Sequence, residues 1–302
     1  MTVAKAFLCA ICGSNELSKT IGYGKNPSIP DERLSIFKDA SVSVCQNCGI
    51  GSIYPYCEPK DLEQFYINAY KGENRSPEPN IKTPVIYSRS ASQYLDVRQD
   101  LDLNSKDILE IGPNAFGWAL LADKFHASSY SYFDSLAMSS IDALGGKYMG
   151  FLSSQTIKKI QTNSTDLIIS SHSLEHLLAT QLNFIMEEFS RVIRPNGYLY
   201  IEVPLEIEAP KLTLRPPHTL FFSQSSLIEF LLRHGFRIAR SRVADTNHQS
   251  RLRQNKLVRG IFRLYRSYLE LLRKRNFIQL FEQTGKAYVP KHRSIRVLAQ
   301  KI

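Results

Sequence analysis

The 302-residue sequence contains no apolar run that approaches the roughly 20 residues a helix needs to span a bilayer. The short apolar stretch from Phe7 to Cys12 has neither the basic flank nor the cleavage site of a signal peptide. Internal repeats and low-complexity tracts are also lacking. These absences argue against a membrane-spanning or repeat protein, and they predict a globular protein of the cytoplasm.

Acidic residues are in deficit, because 28 Asp and Glu accompany 38 Lys and Arg and leave a formal net charge of +10. Most of the excess lies between Arg251 and Arg275, where nine basic residues and one Glu give a local net charge of +8. Apolar and basic positions follow helical spacing there, which predicts a basic amphipathic helix. Such a helix can lie on an anionic membrane surface, dock on a partner protein or contact a polyanionic substrate, and its commonest role is to pack its apolar face on its own domain. Nucleic acid is not the expected partner, because the charge is confined to this late segment.

Cysteine is scarce, but four of the five cysteines form two closely spaced pairs. Two residues separate Cys9 from Cys12 and Cys45 from Cys48, and a Gly follows each pair. Two such turns supply the four thiolates of a tetrahedral zinc site, which has no open position and therefore stabilises rather than catalyses. A disulfide framework is not expected without a secretion signal, and an iron–sulfur cluster is the alternative. We predict structural Zn²⁺ at these four cysteines.

The sequence divides into two predicted parts. Residues 1–75 form a small zinc-ribbon-like module and a connecting helix, whose tyrosines we expect to pack on the main domain. Residues 76–302 form an α/β domain that carries the basic segment in a helical insertion at about 247–290. Cys57 lies outside the zinc pattern.

The α/β domain contains a pattern typical of nucleotide-binding folds. The apolar run from Ile108 to Ile111 predicts a buried strand, Gly112 begins a turn, and a helix follows from Trp118. A strand, a tight turn and a helix N-terminus together form a site for a nucleotide-like ligand. Glu110 places a carboxylate at the end of this strand. On this motif alone, an ordinary strand–turn–helix remains the alternative.

A second acidic residue follows at a telling distance. Asp134 ends the β-rich run that begins at Ser129, 24 residues after Glu110. In dinucleotide-binding folds, an acid at about this spacing accepts hydrogen bonds from ribose hydroxyls. An exposed turn aspartate is the alternative.

The segment from Asp166 to Pro204 carries a more specific pattern: Asp-Leu-Ile, then His172-Ser-Leu-Glu-His176, then Arg-Val-Ile-Arg-Pro-Asn-Gly197 and another strand. With the Glu110–Gly112 motif, this block resembles the class I S-adenosylmethionine (SAM)-dependent methyltransferases. The resemblance implies a Rossmann-like α/β fold, with a seven-stranded sheet covered by helices on both faces, and SAM as cofactor. It assigns five residues to the cofactor site: Glu110, Gly112, Asn114, Asp134 and Ser171.

Two histidines are candidates for catalysis. His172 follows the strand that ends at Ser171, where open α/β sheets bind ligands, and we expect it to line the methyl-donor pocket. His218 begins a segment, His-Thr-Leu-Phe-Phe-Ser, that resembles one found over the active site in methyltransferases of sugars and small molecules. Its imidazole can take the proton from an acceptor hydroxyl, although a structural loop histidine is the alternative. Glu175 and His176 are expected to make capping and structural hydrogen bonds at the next helix.

A zinc module ahead of such a domain resembles the sugar C-methyltransferases of nucleotide-linked deoxysugars, over about residues 7–245. That family has Tyr and Glu before its catalytic His, whereas Arg215, Pro216 and Pro217 precede His218. The chain also has no room for the family's C-terminal α/β domain. We therefore predict methylation of a nucleotide sugar or surface-glycan precursor, on oxygen rather than carbon. RNA methylation and a degenerate, non-catalytic binding protein are the alternatives.

Overall fold

The computed structural model describes residues 7–24, 31–70, 88–113, 116–208, 214–244, 285–286, 288 and 293–302. Asn114 and the predicted basic helix at 251–275 lie outside these residues. Among the described helices, none combines the length and the apolar character needed to cross a membrane.

The strands alternate with helices along most of the chain. In chain order the strands are β1 (Leu17–Gly22), β2 (Ser41–Cys45), β3 (Gly51–Tyr54), β4 (Asp107–Ile111), β5 (Ser129–Phe133), β6 (Lys147–Tyr148), β7 (Thr165–Ser171), β8 (Ile193–Pro204), β9 (Leu220–Phe221), β10 (Phe236–Ala244) and β11 (Ser294–Lys301). The α-helices are α1 (Pro59–Gln64), α2 (Ser88–Val97), α3 (Gly117–Lys124), α4 (Ser139–Asp142), α5 (Ser154–Ile157), α6 (Ala179–Val192) and α7 (Gln224–Arg233). Two 3₁₀ segments (Asp31–Phe37 and Leu174–His176) and a π-helical segment (Phe65–Tyr70) are also present.

Seven strands form the large sheet, in the order β10-β11-β8-β7-β4-β5-β6. The five strands from β8 to β6 are parallel, and β10 and β11 add antiparallel pairs at one edge. The chain leaves β4 toward β5 and β6, and then returns to β7 on the other side of β4. This confirms the predicted fold class and creates a topological switch point between β4 and β7.

The strands at the centre of the large sheet are buried on both faces, as parallel strands covered by helices must be. In β4, Ile108 packs in an apolar cluster with Trp118 of α3 and Ala91 of α2. The next residue, Leu109, packs in the opposite cluster with residues of α6 and α7, such as Phe189. The helical spacing that the sequence shows in α6 and α7 therefore reflects their burial against this sheet.

One predicted turn has a different structure. The sequence predicts a turn at Arg194–Gly197, but β8 already begins at Ile193. Its pairing with β7 is irregular there, since Ile193 lies opposite Thr165 and Tyr198 lies opposite Leu167. Arg194 holds this bulged start on the sheet through ion pairs with Asp107 and Asp166. The turn-forming residues are thus accommodated as a bulge.

A second, four-stranded sheet has the order β1-β2-β3-β9, so its last strand comes from the α/β domain. Gly51 and Ser52 of β3 pair with Phe221 and Leu220 of β9. The apolar cluster under this N-terminal sheet likewise includes Leu178 and other residues of the α/β domain. The N-terminal module is therefore continuous with the α/β domain through a shared sheet and a shared core.

Candidate active site

Three neighbouring strands of the large sheet end at the same edge, and their ends are hydrogen-bonded to one another. The N–H of Gly112, after β4, donates to the Phe133 carbonyl at the end of β5 (N···O 2.7 Å). The Ser173 hydroxyl, after β7, donates to the Ile111 carbonyl at the end of β4 (O···O 2.7 Å). Open α/β sheets bind their ligands at such an edge, next to the switch point.

Gly112 is required at this edge for two reasons. Its φ is +64°, a left-handed conformation that residues with a Cβ rarely adopt. A Cβ at this position would also lie 2.4 Å from the Ser173 hydroxyl oxygen. The backbone therefore turns here without a side chain of its own, which fits the close approach of a cofactor. The predicted contribution of Asn114 stays a prediction, since it lies outside the described residues.

The two predicted carboxylates differ in their surroundings. Asp134 directly follows β5, is buried, and accepts hydrogen bonds from the N–H and hydroxyl of Ser135. This position at the sheet edge is the one predicted for a ribose-binding acid. Glu110 lies within β4, and its carboxyl accepts a hydrogen bond from the Tyr130 hydroxyl. Burial raises the pKa of Glu110 to about 8, so this carboxyl is largely protonated at neutral pH. Direct cofactor contacts by either residue stay predictions.

Ser171, the last residue of β7, belongs to a buried polar network. The Gln93 amide nitrogen, on α2, lies 2.7 Å from the Ser171 hydroxyl and 2.7 Å from Glu202 Oε2. The Trp118 indole N–H donates to the Gln93 amide oxygen (2.8 Å). This network ties α2 and α3 to the ends of β7 and β8. The sequence did not indicate Gln93, because its partners are distant along the chain.

His172 follows Ser171 with a left-handed φ of +53° and contacts two buried carboxylates. Its Nδ1 lies 3.4 Å from Glu175 Oε1, and its Nε2 lies 3.6 Å from Glu202 Oε1. Burial alone would lower the pKa of His172, but the two carboxylates raise it to about 9. An imidazolium has no nitrogen that accepts a proton, so this arrangement favours the pocket-lining role of His172 over that of a base.

Glu175 and His176 do not cap the following helix, contrary to the expectation from sequence. They lie in the 3₁₀ segment, while α6 begins at Ala179, and neither segment has a side-chain capping bond. Glu175 is 1% exposed, and neither of its carboxylate oxygens accepts a hydrogen bond from the described residues. Burial alone would raise the pKa of Glu175, but His172 and the nearby imidazoles lower it to about 2. A buried, ionised carboxylate thus lies at the edge of the sheet.

His176 contacts the N-terminal module. Its Nδ1 lies 2.6 Å from the hydroxyl oxygen of Tyr66, which in turn donates to the Pro217 carbonyl (3.2 Å). Burial lowers the pKa of His176 to about 3, so the ring is neutral. The contact agrees with the expectation that the connecting segment packs its tyrosines on the α/β domain.

His218 is fixed by contacts from three directions. Its Nδ1 lies 2.7 Å from Glu206 Oε2, and its carbonyl accepts a hydrogen bond from the Tyr23 hydroxyl (2.6 Å). The next N–H, of Thr219, donates to the Glu175 carbonyl (2.8 Å). Burial alone would lower the pKa of His218, but Glu206 raises it above its ordinary value. No sequence signal points to Glu206 or Tyr23, because each contact joins segments that are separate along the chain.

These contacts gather Glu175, His176 and His218 into one group, which we call the Glu–His cluster. Each of the three residues has a potential metal-ligand atom, and these atoms lie within 4.8 Å of one another. The rings of His176 and His218 meet edge to face, with centroids 4.9 Å apart. The structure therefore brings the predicted residue His218 beside Glu175 and His176, at the edge that Gly112 and Asp134 also line.

The four predicted zinc ligands also converge. The Sγ atoms of Cys9 and Cys48 are 3.7 Å apart, and those of Cys12 and Cys45 are 3.5 Å apart. Tetrahedral Zn²⁺ with Zn–S bonds of about 2.3 Å holds its sulfurs roughly 3.8 Å apart, so this four-cysteine centre fits a single ion. All five cysteines lie within the described residues, and all are free thiols, Cys57 among them.

Comparisons with known proteins identify the family of the α/β domain. A family model described as a methyltransferase domain matches residues 87–241, just over half of the chain. A search of curated proteins by sequence gave no match.

One solved structure shows the same fold. It is a 1,6-didemethyltoxoflavin-N1-methyltransferase from Burkholderia thailandensis, with bound 1,6-didemethyltoxoflavin and S-adenosylhomocysteine. It is 12% identical, covers 87% of this chain and 96% of its own, and has a TM-score of 0.52. A SAM-dependent methyltransferase from Mesorhizobium loti also matches, with 14% identity over 71% of this chain and 100% of its own, and a TM-score of 0.46. One from Aquifex aeolicus matches with 15% identity over 81% of this chain and 99% of its own, and a TM-score of 0.44. With the family match and the seven-stranded α/β sheet described above, this chain belongs to the methyltransferase domain family and is a SAM-dependent methyltransferase.

Proposed function

We propose that this enzyme transfers the methyl group of SAM to a hydroxyl of a carbohydrate, either a nucleotide sugar or a surface-glycan precursor. The observation that carries the proposal is the position of His218. Its imidazole is oriented by Glu206 at the sheet edge that Gly112 and Asp134 line. A polar, acidic edge suits an acceptor that offers several hydroxyl donors.

The cofactor would be held by Gly112, Asp134 and Ser171, with Asn114 and Glu110 as further predicted contributors. SAM supplies a methyl group that is already activated by its sulfonium. The protein's tasks are therefore to align the acceptor oxygen with the methyl carbon and to accept its proton. This division of labour explains why the site needs few reactive side chains.

His218 is the proposed proton acceptor. If its Nδ1 carries the hydrogen that Glu206 accepts, Nε2 has a lone pair for the proton of the acceptor hydroxyl. As the acceptor oxygen bonds to the methyl carbon, the carbon–sulfur bond breaks and its electron pair stays on sulfur. His172 would line the pocket and hold the carboxylates of Glu175 and Glu202.

We also propose that the four-cysteine centre binds structural Zn²⁺. Four thiolates leave no open position, so this ion would take no part in methyl transfer. Its effect would be to fix β2 and β3, the strands that lead to the pairing with β9 just after His218.

The test is methyl transfer from SAM with a labelled methyl group to a panel of nucleotide sugars and glycan precursors. We expect label in one sugar acceptor as an ether that survives mild base, and no transfer without enzyme. Transfer to RNA but to no sugar would overturn the carbohydrate assignment. Failure of the zinc-loaded protein to bind SAM in calorimetry would overturn the enzyme assignment itself.

We also propose, on the sequence alone, that the enzyme is cytoplasmic and attaches to the inner face of the membrane through residues 251–275. Co-sedimentation with vesicles containing anionic lipid, at low and moderate salt, tests it. Equal binding to neutral vesicles would contradict it.

A further inference from the structure

We propose that the Glu–His cluster binds a divalent cation through the carboxylate of Glu175 and the imidazoles of His176 and His218. Their potential ligand atoms lie within 4.8 Å of one another. Cations that bind nitrogen and oxygen at about 2.0–2.2 Å hold their ligands roughly 3–4 Å apart, so the three groups need to close up only slightly.

Glu175 itself points to a missing ligand. Its side chain is 1% exposed, and neither carboxylate oxygen accepts a hydrogen bond from the described residues. The nearby His172 Nδ1, 3.4 Å from Oε1, makes an ion-pair contact without hydrogen-bond geometry. Buried carboxylates normally accept several hydrogen bonds or bind a metal, because desolvation is otherwise costly. A cation between Glu175 and the two imidazoles would satisfy this carboxylate.

Each of the two histidines has a hydrogen-bond partner at Nδ1, as histidines that bind metals commonly do. Metal-bound imidazoles commonly donate their other N–H to a carboxylate or another acceptor, which fixes the ring. His218 has Glu206 Oε2 at 2.7 Å from its Nδ1. His176 has the Tyr66 hydroxyl at 2.6 Å from its Nδ1. If the Nδ1 atoms of both rings donate to these partners, Nε2 of each ring would be the atom that coordinates the cation.

The donor set defines the kind of cation. Two imidazoles and a carboxylate suit borderline ions such as Zn²⁺, Fe²⁺ or Mn²⁺, and three protein ligands leave positions open to a further ligand. The four thiolates of the four-cysteine centre, by contrast, leave no open coordination position and favour ions that bind sulfur. The two centres therefore differ in the ions that they prefer and in their roles.

The role in catalysis rests on the proposed function, whereas the binding of the cation does not. A hydroxyl that coordinates a divalent cation loses its proton more readily, so the acceptor oxygen would attack the methyl carbon as an alkoxide. The proton would pass to solvent, and the electron pair of the carbon–sulfur bond would remain on sulfur. His218 would then be a ligand instead of the proton acceptor, because Nε2 cannot serve both purposes.

The experiment uses full-length protein with one equivalent of Zn²⁺, which the four thiolates take first. This protein is titrated with Mn²⁺, a poor partner for thiolates, and unbound Mn²⁺ is followed by electron paramagnetic resonance. We expect one Mn²⁺ per chain. Glu175→Gln should weaken this binding by at least about 100-fold, and Glu206→Gln by roughly 10- to 100-fold through loss of the His218 contact.

The matched control is Glu187→Gln, the same chemical change at an exposed position of α6, which should leave Mn²⁺ binding unchanged. Calorimetry with SAM checks that Glu175→Gln is folded. Equal Mn²⁺ affinity in wild type and Glu175→Gln, or no Mn²⁺ binding at all, would overturn the site. Sugar methylation that proceeds equally after complete removal of Mn²⁺ and other ions from this site would overturn its catalytic role, and would leave the proposed function standing.

Discussion

The two sheets of this protein are stabilised in different ways. The large sheet is covered on both faces by apolar clusters, which include fully buried aromatic residues such as Trp118 and Phe189. The N-terminal sheet has a smaller cluster, takes its fourth strand from the α/β domain, and ends beside four clustered thiols. A small sheet of this kind would depend on a bound metal and on docking, whereas the large sheet has an apolar cluster on each face.

Loss of one thiolate should produce the largest difference between the two sheets, because it should destabilise only the N-terminal sheet. We expect Cys48→Ser to abolish thiolate-bound metal and to remove hydrogen-exchange protection from β1–β3, because structural Zn²⁺ contributes about 10 kcal/mol or more to the folding of small modules. SAM affinity should change little, since Gly112 and Asp134 belong to the large sheet. Thiolate absorption of the Co²⁺-loaded protein and calorimetry with SAM measure the two effects.

Cys57→Ser is the control for this comparison, because Cys57 is a free thiol outside the four-cysteine centre. It should retain the thiolate–metal absorption. Equal loss of metal in both variants would mean that the four cysteines are not the ligands.

Gly112→Ala should produce the opposite pattern. The new Cβ would meet the Ser173 hydroxyl at 2.4 Å in a left-handed backbone, so we expect SAM affinity to fall about 10-fold or more. Metal at the four-cysteine centre should be unaffected. Gly235→Ala is the matched control, with φ +79° and nothing within 4 Å of the added Cβ. If Gly235→Ala weakened SAM binding as much as Gly112→Ala, backbone strain alone would explain the loss of affinity. Gly112 would then not lie in the SAM site.

The buried carboxyl of Glu110, in the large sheet, should make the free energy of unfolding depend on pH. Its pKa is raised from 4.5 to about 8, so the folded state binds more protons than the unfolded state between these values. The contribution of Glu110 to the free energy of unfolding is therefore greatest below about pH 4.5 and is lost as the pH rises through about 8.

Denaturant unfolding of wild type and Glu110→Gln across this pH range measures that contribution. The free energy of unfolding should fall less steeply with pH in the variant, because Gln does not titrate. Parallel pH curves would show that Glu110 is ionised in the folded protein at neutral pH.

Tyr23→Phe should have the smallest effect, and it tests the link between the two sheets. It removes one hydrogen bond to the His218 carbonyl, worth about 0.5–1.5 kcal/mol, so we expect a several-fold higher KM for the acceptor and unchanged SAM affinity. Tyr56→Phe removes a comparable hydroxyl, which contacts Leu8 and Ala10 within the module. If Tyr56→Phe raised the KM for the acceptor as much as Tyr23→Phe, the increase would reflect general destabilisation of the N-terminal module and not the contact with His218.

The sequence predicted the large sheet well because its elements have local signatures. The apolar residues of α6 and α7 recur with helical spacing, and the Ser223 side chain caps the start of α7. Gly112 and the cysteine pairs were equally visible, because a turn and a C-x-x-C spacing are local features. The bulge at the start of β8 was missed because ion pairs from Arg194 to two other strands hold it in place.

The surroundings of the Glu–His cluster could not be predicted in the same way. Tyr66 and His176 are 110 residues apart, and Tyr23 and His218 are 195 apart. Glu206 lies in a loop with no periodicity. Such contacts depend on how the N-terminal sheet docks, which leaves no trace in any short stretch of sequence.

The shared strand β9 has a practical consequence for anyone who shortens this protein. A fragment that begins at the family match, near residue 87, would retain the sheet edge with Gly112 and Asp134 but would lack β3, the neighbour that pairs with Leu220 and Phe221. The loop that carries His218 would then have lost its anchor on one side. If His218 acts on the acceptor as we propose, the N-terminal segment would form one wall of the acceptor site, and a minimal catalytic fragment would have to include it.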